Sequence, residues 1–283
     1  TTETHLWPVS SLSGITSSFT NHYNIPELNG TVKLSGNAFM AAAVLSTGKI
    51  LTWGIEKDGE GSLGHGTAYS SNTGTNVPTE VVGISTAVDV YVSYQEYRPC
   101  VAAVLSDGKV MKWGRGLAPI GATPVEVTDV NHPTEKAKQV VMEFYGGLII
   151  LLESGLIRLS SGSHPHVYGH SQHNNGIIPN ITNAIQIAEG NMSGYALTSD
   201  GSVWSWGYNY FAKGNLGQPD IGINTYDRPP GLVDGIGPGS GAIKIISRKF
   251  GLMILFSDGT VKGFGENNND VLLQGTNDDQ LNT

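Results

Sequence analysis

Only one cysteine, Cys100, occurs in 283 residues, so no disulfide can form within the chain. Its plainest role is that of a small buried apolar residue. A catalytic thiol needs an electropositive, partnered setting that the flanking sequence does not offer. Charge is also scarce: Asp, Glu, Lys and Arg make up 14% of the chain, against a usual ~25%. The balance is acidic, with a net charge of −8 and a pI near 5.4. A basic nucleic-acid binder would show a pI above about 9, so nucleic acid is not an expected partner. No stretch approaches about 18 apolar residues, so no membrane-spanning helix is expected. Thr1 to Ser10 lack a basic start and an apolar run, so no signal peptide is expected either. A coiled coil is excluded by composition, since it takes about half its residues from Ala, Glu, Lys, Leu and Arg.

Glycine is what the chain has in excess: 38 residues, well above the usual ~7%. Hydrophobic residues at 39% are enough to build a core, which excludes disorder. The composition is that of a turn-dense, β-rich globular protein.

One phrase recurs along the chain: an apolar run, a polar-Gly turn, a short strand, then aromatic-Gly. It reads Ala43-Val44-Leu45-Ser46-Thr47-Gly48-Lys49-Ile50-Leu51-Thr52-Trp53-Gly54 and returns as Ala103 to Gly114. A degraded copy is Ile150 to Ser161, a clear one Ala196 to Gly207, and the last Ile254 to Gly265. The turn glycines Gly48, Gly108, Gly155, Gly201 and Gly259 are spaced by 60, 47, 46 and 58. Self-similarity at a period of 20–50 residues marks a solenoid or propeller. Asp107-Gly108, Asp200-Gly201 and Asp258-Gly259 predict tight hairpins of type I′. The aromatic five residues after the glycine is Trp53, Trp113, Trp206 or Phe264, with Ser160 in the third copy. A large ring at the same place in each unit would fill the space between neighbouring sheets.

Two further strands complete each unit. One precedes the phrase, as in Val32–Ser35, Val88–Val92, Ala137–Val141, Ala184–Ala188 and Ala242–Ile246. The other follows a proline, as in Pro78–Val82, Pro124–Val127, Pro179–Ile181 and Pro230–Val233. Four strands per unit, repeated radially, predict an all-β fold: a single β-propeller of about five four-stranded blades. The last unit lacks its proline strand. Asn24-Ile25-Pro26-Glu27-Leu28-Asn29-Gly30 reads like Asn76–Gly83. The expectation is that this N-terminal strand completes the last blade and closes the ring, leaving no long free edge. Residues 24–283 then form the propeller, and residues 1–23 an arm packed on the ring or on a partner.

The phrase of Ser-Asp-Gly, Val, Trp-Gly, then Asn…Leu-Gly, then Pro…Val resembles the repeat of the regulator-of-chromosome-condensation (RCC1-like) propellers. The best copy runs from Ala184 to Val233, with Trp206-Gly207-Tyr208-Asn209 and Gly214-Asn215-Leu216-Gly217. The resemblance covers residues 24–283 and implies the propeller fold. The family has seven blades as a rule, where five units are counted here. Its best-known relatives are exchange factors for small GTPases. The matching motif is structural, so the resemblance transfers no catalytic residue.

Candidate chemistry is thin. His164, His166, His170 and His173 place half of the eight histidines within ten residues of the third unit. Imidazole suits zinc, copper or nickel, and the cluster is compatible with a metal site, a pH-sensitive contact or a solvated loop. Gly59–Gly66 lacks the Gly-Lys-Ser/Thr ending of a phosphate loop. No Gly-x-Ser-x-Gly elbow is present. No cofactor is expected and the chain is read as non-enzymatic. The insertions after Trp53-Gly54 and Trp206-Gly207 leave the same strand end, which makes that end the expected binding face. Tyr208, Asn209, Tyr210, Phe211 and Tyr226 are its candidate contact residues, since aromatic rings give large contact area at low entropy cost.

Three functions follow as expectations. The first is a binding or structural module among the protein subunits of a larger assembly. Low charge and many Asn, Thr, Ser and Gly residues resemble a virion component, a bacteriophage tail-associated or receptor-binding protein at a virion or extracellular surface. The second is a lectin-like propeller holding cell-surface glycan. The third, taken from the resemblance, is a guanine-nucleotide exchange factor for a small GTPase.

Overall fold

A computed structural model describes residues 5–6, 23–57, 59–93, 99–115, 121–128, 135–143, 146–160, 176–209, 214–219, 228–248 and 250–266. The described secondary structure is β apart from short 3-10 turns. Two short strands, β1 (His5–Leu6) and β2 (Tyr23–Asn24), pair with each other. Five antiparallel sheets follow, each a meander in chain order. Blade one is β3 (Thr31–Gly36), β4 (Met40–Leu45), β5 (Ile50–Glu56) and β6 (Thr73–Glu80). Blade two is β7 (Ala87–Val92), β8 (Cys100–Leu105), β9 (Val110–Gly114) and β10 (Gly121–Glu126). Blade three is β11 (Ala137–Met142), β12 (Leu148–Leu152) and β13 (Ile157–Leu159). Blade four is β14 (Ala184–Gly190), β15 (Ser193–Thr198), β16 (Val203–Gly207) and β17 (Arg228–Leu232). Blade five is β18 (Ala242–Arg248), β19 (Gly251–Phe256) and β20 (Val261–Gly265). The chain divides into two compact units, residues 1–127 with blades one and two, and residues 128–283 with blades three to five.

Three expectations need correction. Among the described residues three sheets have four strands and two have three. In blade three the Pro179–Ile181 segment is a turn, with Asn180 at φ +66°. The fourth strand there shrinks to one bridge, Arg158 to Ile177, and the bond from Ile178 N to Ile157 O at 2.9 Å. The segment 24–30 does not supply a strand to blade five. Pro26–Leu28 is a 3-10 turn, with Pro pre-set for its first position, and β2 pairs with β1. Leu28 is buried against Ala43 and Leu51 of blade one, because that apolar surface is the one within reach.

The hairpins also differ from type I′. Each loop has three residues, closed as by Leu105 N to Lys109 O at 2.9 Å and Gly108 N to Leu105 O at 2.8 Å. The same pair of bonds recurs at Gly48, Gly155, Gly201 and Gly259. Only the glycine takes positive φ, between +83° and +90° in the five loops. This is a type I turn followed by a left-handed residue. The Asp residue therefore serves a different purpose. Its carboxylate accepts the backbone N–H two residues on, at 3.0 Å for Asp107, 3.0 Å for Asp200 and 2.9 Å for Asp258.

A β-bulge stands at the same place in every blade, between the first and second strands, at Thr31/Lys33, Ala87/Asp89, Ala137/Gln139, Ala184/Gln186 and Ala242/Lys244. The extra residue is Val32, Val88, Lys138, Ile185 or Ile243. The four apolar ones are all exposed, as expected for a residue pushed out of the ladder. Each outer strand carries proline, at Pro78, Pro124, or Pro229 and Pro230, which cannot donate to a further strand and so blunts the sheet edge.

Candidate protein-interaction face

In a four-stranded meander the first-to-second and third-to-fourth connections leave the same end of the sheet. Blades one, two and four each have this order, so in each of them the third-to-fourth loop leaves the sheet end that also carries the first-to-second connection.

The loop of blade one, residues 57–72, is built on a buried carboxylate. Glu56, 1% exposed, accepts N–H bonds from Gly61 at 3.1 Å, Leu63 at 2.9 Å and Tyr69 at 2.9 Å. Carboxylate acceptors make stronger bonds than neutral ones, so one side chain gathers three loop amides. The inner arm of the loop plugs blade two. Trp113 Nε1 donates to the Ser62 carbonyl at 3.0 Å, and Gly66 N donates to Ala122 O at 2.9 Å. Arg115 pairs with Glu60 at 3.3 Å. A Cβ on Gly64 would lie 2.7 Å from Trp113 Nε1, so the Leu-Gly of the repeat is the seat for the next blade's ring. In blade four Gly217 seats Phe264 in the same way, with a hypothetical Cβ 3.0 Å from the ring.

His65 follows that glycine. Thr52 Oγ1 donates to Leu63 O at 2.5 Å, which uses the only hydroxyl proton. His65 Nε2 must therefore donate to Thr52 Oγ1, 2.9 Å away, and Nδ1 accepts from Tyr69 OH at 3.2 Å. Burial lowers the His65 pKa, against the pull of hydrogen bonds at Thr79 and Thr52, so the neutral ring is favoured. Blade four solves the same position without a titratable group. Ser205 Oγ donates to Leu216 O at 2.6 Å, and Gln218 Nε2 donates to Ser205 O at 2.7 Å. On the loop's outer side Lys57 Nζ sits 4.3 Å from the Phe39 ring centroid and donates to Asn72 Oδ1 at 3.2 Å.

A second set of polar side chains joins successive first strands. Gln139 Nε2 donates to Ile187 O at 3.0 Å while its Oε1 accepts from Ile187 N at 2.9 Å. Gln186 makes the same two bonds to Ile245, at 2.7 and 3.0 Å. In blades one and two the corresponding residues form an ion pair, Lys33 Nζ to Asp89 Oδ1 at 2.8 Å.

The predicted residues fall into three groups. Trp113, Trp206 and Phe264 are fully buried, and Trp53 is partly exposed. Ser160 fills the ring position of blade three, and its Oγ accepts from Leu148 N at 2.9 Å. Trp206 Nε1 finds no acceptor among the described residues. Tyr208 and Asn209, expected as contact residues, are 4% and 3% exposed. Tyr208 O accepts from Asn215 Nδ2 at 2.8 Å, so both belong to the foundation of the loop. Asn209 occupies the place of Glu56, counted from Trp-Gly. Tyr210, Phe211, Tyr226, His164, His166, His170 and His173 lie outside the described residues. Among the described residues no group of three or more His, Cys, Asp or Glu could hold a metal. Cys100 is buried, its Sγ 3.1 Å from Trp113 O, and burial pushes its pKa up to about 11, as expected of an inert thiol. Glu56, His65, Gln139 and Gln186 were not singled out from sequence. The available signal was alignment of the copies from Trp-Gly onward, which sets Glu56 over Asn209 and His65 over Gln218.

No family model matches the chain. The RCC1 domain-containing protein RUG3, mitochondrial, of Arabidopsis thaliana is 27% identical over 196 residues, 64% of this chain and 43% of that protein. The E3 ubiquitin-protein ligase HERC2 of Homo sapiens is 27% identical over 212 residues, 69% of this chain and 4% of that protein. The chain thus spans less than half the length of these curated relatives. Yeast RCC1 (Prp20), solved bound to Kap60, superposes with a TM-score of 0.63 at 19% identity, covering 87% of this chain and 59% of that one. Human WBSCR16 gives a TM-score of 0.68 at 14% identity, covering 89% of this chain and 66% of that one. The repeat, the meander sheets and these likenesses together give the chain a β-propeller fold of about five blades, similar to that of the RCC1 proteins.

Proposed function

We propose that this chain is a non-enzymatic propeller that binds protein through the loop-bearing ends of its blades, as one subunit of a larger assembly. The observation that carries this reading is the bracing of the blade-one loop. Glu56 gathers three amides from below, which leaves the tip, Gly66 to Ala68, exposed on a fixed base. A pre-organised loop loses less entropy on binding than a free one. The narrower form of the proposal is a virion component, tail-associated or receptor-binding, at a virion or extracellular surface. Low charge and the abundance of Asn, Thr, Ser and Gly support it. An exchange-factor reading draws on the Prp20p structure, described with that protein's binding to Gsp1p and histones. The glycan reading is weakened by the burial of Tyr208 and Asn209.

The test is co-purification from the native source at moderate salt, with and without EDTA, using the wild type and a Thr67→Arg/Ala68→Arg tip variant. Stoichiometric structural proteins with the wild type, lost with the tip variant, are expected. Recovery of the wild type as a free protein overturns the proposal. A small GTPase in the eluate favours the exchange-factor reading.

A further inference from the structure

The third-to-fourth loops of blades one and four contain one turn written twice. Gly61-Ser62-Leu63-Gly64 and Gly214-Asn215-Leu216-Gly217 follow Trp-Gly by the same number of residues, and Glu56 stands over Asn209. The backbones agree. The first glycine has φ +81° and +64°, the last +74° and +59°. In both turns the last glycine's N–H donates to the first one's carbonyl, at 3.0 Å. In both a hydroxyl of the third strand donates to the leucine carbonyl, Thr52 Oγ1 at 2.5 Å and Ser205 Oγ at 2.6 Å.

The amides of the turn are used differently. In blade one the Glu56 carboxylate takes two of them, Gly61 N–H on Oε2 at 3.1 Å and Leu63 N–H on Oε1 at 2.9 Å. The turn is thus a concavity of backbone N–H groups that holds an anion. In blade four the side chain at that place is an amide, one methylene shorter and uncharged. Among the described residues the N–H groups of Gly214 and Leu216 meet no acceptor, although Leu216 is 0% exposed and Gly214 is buried. Buried N–H groups are almost always paired, with protein, water or an ion. The carbonyls of the same turn are engaged: Gly214 O accepts from Gly217 N, Asn215 O from Tyr195 OH and Leu216 O from Ser205 Oγ. What the turn has left to offer is the positive end of two peptide dipoles. The charge around it in sequence changes sense as well: Glu60 precedes the first glycine in blade one, Lys213 in blade four.

We infer that the blade-four turn binds a small monovalent anion of the chloride class on the N–H groups of Gly214 and Leu216, in the place that the Glu56 carboxylate fills in blade one. Burial selects the class. Asn209 and Asn215 are 3% and 0% exposed, so an acidic side chain of a partner or a phosphate ester does not reach the site, and a single ion does. The neutral Asn209 amide admits the ion without repulsion and can turn its Nδ2 toward it, since the two ends of an amide have nearly the same shape. Blade one carries its anion covalently; blade four takes one from solution, which makes the stability of that turn depend on the halide around it. The site lies within blade four and does not rest on the protein-binding reading above.

The test is the thermal midpoint of the full chain in sodium chloride and in sodium gluconate at equal ionic strength, since gluconate is too large to enter. The wild type is expected to melt higher in chloride, with a midpoint that rises with chloride concentration. Asn209→Glu, which installs the carboxylate of blade one, is expected to melt alike in the two salts, at or above the wild type in gluconate. Where that variant fails to fold, Asn209→Asp serves: its carboxylate repels the ion, and the chloride dependence is expected to be lost. In the wild type the amide NMR signals of Gly214 and Leu216 are expected to shift with chloride while those of Gly61 and Leu63 stay. Equal wild-type midpoints in the two salts overturn the inference and leave water as the partner of the two amides. A folded Asn209→Glu variant that keeps the full chloride dependence overturns it too, because the ion then sits elsewhere.

Discussion

At the scale of single residues the turn glycines look alike in sequence and differ in cost. Gly48 and Gly259 both take positive φ, +83° and +87°, where a Cβ costs roughly 1–2 kcal/mol. At Gly259 nothing lies within 4 Å of a built Cβ, whereas at Gly48 it would meet Ser85 O at 2.5 Å and Thr86 Cα at 2.8 Å. Gly259→Ala should lose about 1–2 kcal/mol and Gly48→Ala clearly more, read as urea midpoints. Equal losses would show that φ alone sets the cost. His65 gives a pH dependence. Its folded pKa is lowered by burial, so the unfolded chain binds the proton more readily. Stability therefore falls as pH drops below the unfolded value of about 6.5 and levels off below the folded pKa. In His65→Gln the His65 share of the slope in that window should be lost, and Gln218 shows that the amide suits the site. Denaturant midpoints for both proteins between pH 7.5 and 4.5 decide it; a gap that does not change with pH refutes it. Asp200 and Asp258 act lower. Hydrogen bonds hold their carboxyls below the usual range, so their contribution is complete above the unfolded carboxyl value and is lost as pH falls below it through the folded values.

At the scale of the element, the recurring device is the first strand. Its bulge ejects one residue, and the residue after it reaches the next blade. Gln186 satisfies both the N–H and the C=O of Ile245. In Gln186→Met the volume stays but both bonds go, and an unsatisfied backbone pair costs about 1–3 kcal/mol. Amide exchange at Ile245 should quicken in step with the loss of stability; unchanged exchange would show that the clamp is idle. Much of this level was legible beforehand. Period-two alternation and the prolines placed the strands of blades one, two and four. The Pro179 and Pro26 segments were read as strands on the same signal, and both are turns. Proline fits an outer edge and the start of a 3-10 turn alike, and only the neighbouring surface chooses between them.

For the whole molecule, charge acts on association. The net charge of −8 at pH 7 keeps copies apart through mutual repulsion, which fades toward the pI near 5.4. Average mass in sedimentation should therefore be larger at pH 5.4 than at pH 7.5 at equal concentration. A smaller mass at the lower pH would mean that ionised carboxylates form the contact.

The repeat, the five hairpins and the positions of Trp113, Trp206 and Phe264 were determined by sequence alone. They rest on local rules: glycine's freedom at positive φ and the two-residue period of a strand. The tertiary structure decided the rest. Tyr208 and Asn209 look like surface residues in a list of letters, but the Asn215 turn closes over them. Glu56 and Gln186 look like solvated polar residues until the backbone they serve arrives, from Glu56's own loop folding back and, for Gln186, from a distant strand. Val90 and Ile245 alternate in sequence like any strand residues, and their burial belongs to the neighbouring blade that packs against each of them and not to the residue itself.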